Sequence, residues 1–386
     1  MISSDRKVKI MLILSESPLA RASGGGVAGF ERACALAEVA DLRCAYVDWD
    51  RAGEVALPLA VPIACRPLSP VARGILRFLS VTRRAHKVFG SLINRGPWFF
   101  GLFSMSSVAK QCESYLRESG AGLVCFDNIP STLAWEACAG RKRIYFAHNV
   151  ESDVVQYTFP GGWLQSMERN RILAWERKVV READAVICFT ERDSAALRRL
   201  APGQRFEVIP PAFGPPPKRA WQPTLPAYVI MPTNAAWEPN RLSLEWFRQE
   251  VLPKVPRDIR FVLTGRDRDG FLARMAEGFQ NVEYAGLLPR EEYEAKFLGA
   301  RLFVNPTRFG SGFQIKLMEA VRFGVPAIST AFSNHLGDLI SATDDGADMA
   351  RRIDEWMRFG TGMKHPMYEG IRRDALDRTR DLIASV

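Results

Sequence analysis

Two glycine-rich segments of this 386-residue chain carry the residues best suited to chemistry. The first is Arg308-Phe-Gly310-Ser311-Gly312-Phe-Gln-Ile-Lys316-Leu-Met-Glu319-Ala320, which follows the apolar run Leu302 to Asn305 and opens a stretch of helical period. A strand that turns through glycines into a helix leaves backbone N–H groups unpaired at the helix start, where they suit an anion. Lys316 and Glu319 lie three apart, on one helical face. A cation beside that N–H cluster fits a diphosphate, and an acid one turn later fits ribose hydroxyls. The plain alternative is an i,i+3 ion pair on an amphipathic helix.

The second segment, Gly24-Gly25-Gly26-Val27-Ala28-Gly29, satisfies G-x-G-x-x-G, and Asp48 stands nineteen residues beyond Gly29. A dinucleotide fingerprint turns directly out of its strand, whereas Gly24 comes nine positions after Ser15. Three readings stay open: a dinucleotide site, an acceptor or phosphate loop at a helix start, and a structural turn. His148 and Asp127 each follow an apolar run, where a side chain reaches the carboxyl edge of a sheet. His148 could hydrogen-bond a hydroxyl or handle a proton, and Asp127 could act as a general base. A lone histidine is as readily structural. Glu151 is a further candidate, whereas Thr190 with Asp193 three residues on is better explained as a helix N-cap.

These residues need a frame that sets them side by side. Short apolar runs predict strands at Val8–Ser15, Arg43–Val47, Leu123–Phe126, Arg143–Ala147, Ala185–Phe189 and Phe206–Ile209, with helices at Gly29–Val39, Met105–Glu118 and Gln165–Glu182 among them. That alternation is the βαβ signature of a parallel sheet covered on both faces. Seven prolines between Pro210 and Pro226 interrupt it, and then it resumes. Strands are predicted at Tyr228–Met231, Arg260–Thr264, Val282–Ala285, Leu302–Asn305 and Pro326–Ser329. The matching helices are Arg241–Val251, Gly270–Glu277, Arg290–Leu298 and Phe313–Phe323. The expected organisation is an N-terminal domain over 1–214, a Pro-rich hinge over 215–226 and a C-terminal domain over 227–360. A final helical segment over 361–386 packs back on the first domain.

Fifty-two Lys and Arg against forty-three Asp and Glu give a net charge of +9. Eight of the basic residues fall between Val55 and Cys112, a stretch with no acid, so the rest of the chain is nearly neutral. Interleaved with apolar residues, Arg73, Arg77, Arg83 and Arg84 fit a helix lying on an anionic membrane surface, or else a solvated helix packed on the first sheet. No helix-turn-helix, zinc-finger or RNA-recognition pattern accompanies the patch, which argues against nucleic acid. Seven cysteines without a C-x-x-C pair encode neither a disulfide framework nor a metal site and point to a reducing, cytoplasmic compartment. No apolar run is long and clean enough to span a bilayer.

The ordered set of motifs resembles the GT-B glycosyltransferases of family 4. It comprises Pro232-Thr-Asn-Ala-Ala-Trp-Glu-Pro-Asn240, Val262-Leu-Thr-Gly-Arg266, Asn305-Pro306, Gly310 to Ala320 and Gly324 to Thr330. Ahead of these come His148-Asn-Val-Glu151, Trp175-Glu176 and Val208-Ile-Pro210. The resemblance implies an α/β, GT-B architecture, with two doubly wound Rossmann-like domains facing a central cleft. It implies that Glu319 binds the donor ribose, that Lys316 and the N–H groups of Gly310, Ser311 and Gly312 take the diphosphate, and that Arg266 and Asn234 lie near the donor phosphates or base. His148 would face the transferred sugar. Ser311 stands where the family often has a glutamate, which leaves the donor sugar open. The expected reaction is transfer from a UDP-, GDP- or dTDP-sugar, with retention, to a lipid-linked or polysaccharide acceptor near the inner face of the membrane, with no cofactor and no metal. The competing readings are a nucleotide-sugar epimerase and a non-catalytic sugar-nucleotide binder.

Overall fold

The computed structural model describes residues 7–17, 24–48, 60–64, 92, 96–101, 104–159, 161–267, 269–360 and 368–386. The chain divides into two compact units. The first comprises Met1–Gly214, Ser311–Phe313 and Arg372–Val386; the second comprises Pro215–Gly310 and Gln314–Ile371.

The first unit is built on a parallel sheet of seven strands: β1 (Lys9–Leu14), β2 (Asp41–Asp48), β3 (Ala60–Ala64), β4 (Leu123–Asp127), β5 (Lys142–Ala147), β6 (Ala185–Cys188) and β7 (Phe206–Val208). Their order is β3-β2-β1-β4-β5-β6-β7, so the chain reverses its direction of travel between β1 and β4. The central strands are buried along their length, as sheets covered on both faces require. Helices α1 (Gly24–Val39), α2 (Met105–Ser119), α3 (Glu151–Thr158), α4 (Trp163–Glu182) and α5 (Glu191–Arg198) connect them. Helix α2 begins where the Ser104 side chain accepts from the Ser107 N–H, and it stops at Gly120, whose φ of 63° only glycine adopts cheaply. Trp135, Tyr145, Phe126 and Phe99 fill the core.

The second unit repeats the plan with six parallel strands: β8 (Tyr228–Pro232), β9 (Arg260–Thr264), β10 (Val282–Tyr284), β11 (Leu302–Asn305), β12 (Ala327–Ser329) and β13 (Ser341–Ala342), in the order β10-β9-β8-β11-β12-β13. Its helices are α6 (Glu238–Glu250), α7 (Phe271–Glu277), α8 (Arg290–Leu298), α9 (Ile315–Phe323) and α10 (Gly346–Phe359). Phe247 and Phe261 pack one face of the sheet and Phe297, Phe303 and Phe323 the other. The last helix, α11 (Tyr368–Ser385), buries Ala375, Leu376, Leu382 and Ile383 and ties its start to the first unit through Arg372, which donates to the Phe213 carbonyl at 2.8 Å.

Three elements differ from expectation. The glycine triplet Gly24, Gly25 and Gly26 forms no separate loop; it opens α1, because a glycine's helix cost of about 1 kcal/mol per residue is tolerated in a turn that runs on into a packed helix. Helix α9 starts at Ile315 rather than Phe313, since Gln314, at φ −82° and ψ 93°, is extended and serves as its N-cap. Strand β3 lies at the sheet edge inside the acid-free stretch from Val55, where no strand is expected from the sequence. Much of the proline-rich segment is held in place: Trp221 donates from Nε1 to the Ala300 carbonyl at 2.7 Å and the Thr224 N–H to Gly299 at 2.9 Å.

Candidate active site

In open parallel sheets ligands settle at the carboxyl ends of strands where the strand order reverses. In the second unit that point lies between β8 and β11. A small cavity there is lined by Thr233, Asn240, Ser243, Thr307 and Lys316. Helix α9 begins beside it. Its N-cap residue Gln314 makes no side-chain cap; the Leu317 N–H donates to the Gln314 carbonyl at 2.9 Å, and the N–H groups of Ile315 and Lys316 ahead of it are left for another acceptor. Gly310 and Gly312 adopt φ of 106° and 80°, shaping the approach to that end.

Lys316, on the first turn of α9, has no hydrogen-bond or ion-pair partner among the described residues. Burial alone pushes its ammonium down to about 8. A desolvated cation without a counter-charge, next to unsatisfied N–H groups, is an arrangement that an anion completes. The floor of the site is a buried polar network. Asn305 donates to Ser333 Oγ at 3.0 Å, Thr307 to Asn305 Oδ1 at 2.8 Å, Ser333 and Ser329 meet at 2.7 Å, and Thr330 donates to the Thr307 carbonyl. Fully paired buried networks are rigid, which fixes the end of β11 against the end of β12 and the turn after it.

Glu319 lies one turn further along α9 and is buried. Its carboxylate accepts from Arg290 Nη1 at 2.9 Å and from the Tyr293 hydroxyl at 2.8 Å. Burial and the Glu319 charge push the Tyr293 phenol well above its ordinary range, so it stays a donor. Neither Arg290 nor Tyr293 stands out in the sequence. Asn234 shapes its own loop: Oδ1 accepts from the Ala236 N–H at 3.0 Å, and its carbonyl accepts from Asn240 Nδ2 at 3.0 Å. Arg266 extends into solvent from the loop after β9, its carbonyl held by the Ala235 N–H at 2.8 Å. Lys316, Glu319, Asn234 and Arg266 therefore all lie at or just beyond the carboxyl edge of the second sheet.

The first unit gathers a second cluster at its own reversal point. Asp127 ends β4 and His148 follows β5, and the ring Nε2 lies 2.8 Å from Asp127 Oδ1. Between them enters Arg32 from α1: its Nε donates to Asp127 Oδ1, and its Nη2 lies 3.0 Å from His148 Nε2. All three residues are buried. Burial would raise the Asp127 carboxyl, but the charge of Arg32 leads the influences that outweigh it and hold the group at about 2. A carboxylate so strongly acidic is an anchor more than a general base. The Arg32 guanidinium carbon lies 4.5 Å from the ring centroids of both Phe146 and Phe189. Gly29 permits α1 to come this close, since a Cβ there would stand 3.2 Å from both Asp127 Oδ2 and Leu14.

The backbone after His148 is pinned from below by Glu176, which accepts from the Glu151 N–H and the Ser152 hydroxyl, each at 2.8 Å. Burial pushes the Glu176 carboxyl up to about 8 despite these donors. Glu151 accepts from Asn149 Nδ2 at 2.8 Å. Thr190 caps α5 by accepting from the Asp193 N–H at 3.0 Å, and Asp193 Oδ1 accepts from Ser311 at 2.9 Å. Ser311 also accepts from the Val150 N–H at 3.0 Å, so its only donor proton and one of its acceptor sites are taken by protein groups. Arg73, Arg77, Arg83 and Arg84 lie outside the described residues. Among the described residues no cluster of His, Cys, Asp and Glu could hold a metal ion, and no helix is long and apolar enough to cross a membrane. Burial pushes the thiols of Cys44, Cys125 and Cys188 up to about 12, which leaves them unreactive.

Two doubly wound units with one strand order define the GT-B fold, and solved structures agree across nearly the whole chain. A sucrose-phosphate synthase from Thermosynechococcus elongatus superposes with a TM-score of 0.65 at 15% identity, covering 98% of this chain and 100% of that one. The pneumococcal O-GlcNAc transferase GtfA, solved with UDP and GlcNAc, gives 0.63 at 12% identity over 99% of each chain. WaaG, a glycosyltransferase involved in lipopolysaccharide biosynthesis, gives 0.56 at 15% identity over 98% of this chain and 95% of that one. Residues 228–358 match the family described as Glycosyl transferases group 1. The chain is thus a GT-B protein resembling the family-4 glycosyltransferases, with the family match lying on the unit that carries Lys316 and Glu319. No curated protein matches it in sequence.

Proposed function

We propose that the chain transfers a sugar from a nucleotide-diphosphate donor, with Lys316 and the open N-terminus of α9 receiving the diphosphate. The observation that carries this reading is the desolvated, unpartnered Lys316 ammonium beside uncapped N–H groups. Breaking the C–O bond between sugar and diphosphate builds negative charge on the leaving group, and fixed donors aimed there lower the barrier most. Glu319, oriented by Arg290 and Tyr293, accepts from the ribose hydroxyls, and Arg266 and Asn234 border the phosphates or base. In the retaining course the acceptor oxygen bonds to the anomeric carbon on the face the diphosphate leaves, and the acceptor proton passes to the departing phosphate oxygen. This course needs no protein base, in keeping with the strongly acidic Asp127. His148 faces the transferred sugar, and the glycine-started α1 beside Asp127 lies on the acceptor side. With no obligatory metal, leaving-group charge falls to Lys316 and the backbone.

The acceptor is a lipid-linked or polysaccharide glycan met at an anionic membrane surface; the acid-free sequence around Arg73 to Arg84 supports that. The test is release of nucleoside diphosphate from a panel of UDP-, GDP- and dTDP-sugars, with and without glycan acceptors. UDP-sugars come first, given the UDP bound in GtfA. Acceptor-dependent release is expected, and NMR of the product should show a retained anomeric configuration. Release without acceptor, or none with any donor, would sink the proposal.

A further inference from the structure

His148 Nε2 has two close neighbours, Arg32 Nη2 at 3.0 Å and Asp127 Oδ1 at 2.8 Å, and it cannot hydrogen-bond to both. A protonated Nε2 serves Asp127 and leaves the Arg32 N–H pointing at another N–H. A bare Nε2 serves Arg32 and faces the carboxylate with a lone pair. The guanidinium geometry decides between them. Nε and Nη2 form one edge of a rigid fork that never gives up its protons and matches two acceptors side by side, as it does on the two oxygens of a carboxylate. Here the Nε end donates to Asp127 Oδ1 and the Nη2 end lies on His148 Nε2, so the two acceptors, 2.8 Å apart, take the place of a carboxylate pair. Phe146 and Phe189 each hold a ring 4.5 Å from the guanidinium carbon, contacts that restrain the fork from turning away.

We propose that Arg32 is a positioning residue that fixes the tautomer of His148, holding Nε2 as an acceptor and placing the ring proton on Nδ1. Among the described residues every hydrogen bond of the ring runs through Nε2, so the Nδ1–H is the edge left for a ligand. The histidine then presents its Nδ1–H as a hydrogen-bond donor towards a hydroxyl. The chemical role of that donor rests on the transferase reading; the tautomer does not.

The experiment reads the ring nitrogens by NMR in protein labelled with 15N-histidine, without donor or acceptor. The chain has four histidines, so His148→Gln assigns the signal. The wild type should show a pyrrole-type Nδ1 and a pyridine-type Nε2 at neutral pH. Arg32→Lys keeps the charge but offers no fork, and Arg32→Met offers no donor. In both, the proton should move to Nε2, which then donates to Asp127. A wild-type ring protonated at Nε2, or the same tautomer in folded variants as in wild type, overturns the proposal. The wild-type spectrum decides even if both variants fail to fold. If the transferase reading holds, Arg32→Lys should also lower kcat roughly tenfold, the worth of one hydrogen bond, with the donor KM unchanged. A wild type with no turnover but the expected tautomer would fail the transferase reading and leave this one standing.

Discussion

Replacing Lys316 by Met should make the protein more stable and its nucleotide binding weaker, a combination that a structural lysine would not give. Burial lowers the ammonium from 10.5 to about 8, and at about 1.36 kcal/mol per pH unit the charged form costs up to about 3 kcal/mol in the folded state. Methionine has similar length and no charge, so urea unfolding at pH 7 should show a gain of about 1–3 kcal/mol, relaxation taking up the rest. Because the folded state releases its proton first, wild-type stability should climb as pH rises from about 8 towards 10.5. The variant should lack that climb. A bound diphosphate supplies the missing counter-charge and draws the proton back. Wild-type affinity for UDP should therefore be full below about pH 8 and fall as pH rises beyond it, with uptake of about half a proton per UDP at pH 8. Calorimetry in two buffers of different ionisation heat measures that uptake directly. Lys316→Met should lose about ten- to a hundredfold in affinity, the range of a hydrogen bond to a charged group, and show no proton uptake. An affinity independent of pH, or a variant that binds UDP as tightly as wild type, would refute the reasoning.

Two other substitutions test the frame around the sites. Asp127→Asn leaves Arg32 buried without a carboxylate and should cost about 3–5 kcal/mol in urea unfolding. In wild type, the Asp127 contribution is fully present above about pH 4 and is lost as pH falls through about 2, so the variant's acid-unfolding curve should be flatter there. Gly265→Ala should cost more than about 2 kcal/mol by thermal unfolding. Its φ is 125°, and an added Cβ would overlap the Thr233 carbonyl at the edge of the Lys316 cavity.

The fold was largely legible because buried parallel strands are short apolar runs and the helices between them keep a 3.6-residue period. The elements that escaped lie at sheet edges, where that signal is weakest. Pro62 argues against a strand, yet β3 has a partner on one side only and tolerates a missing donor. Strand β13 is two residues long, too short for any pattern. At the sites, Lys316 and Glu319 could be read because a glycine turn, a cation and an acid fall within one local stretch. Arg32 could not. On its helix it resembles any solvated arginine, and only the β1–β4 pairing carries it to a carboxylate 95 residues away. Arg290 and Tyr293 meet Glu319 across 29 and 26 residues, again through sheet order rather than spacing.

The first unit takes its closing helix from the far end of the chain: Arg372–Val386 belongs with Met1–Gly214, and all but three residues of what lies between belong to the second unit. During synthesis the first sheet must therefore wait, with the surface that receives Ala375, Leu376, Leu382 and Ile383 uncovered, until the whole second unit has left the ribosome. A chain cut short near its end would retain every residue of the Lys316 site, yet leave the other unit unfinished.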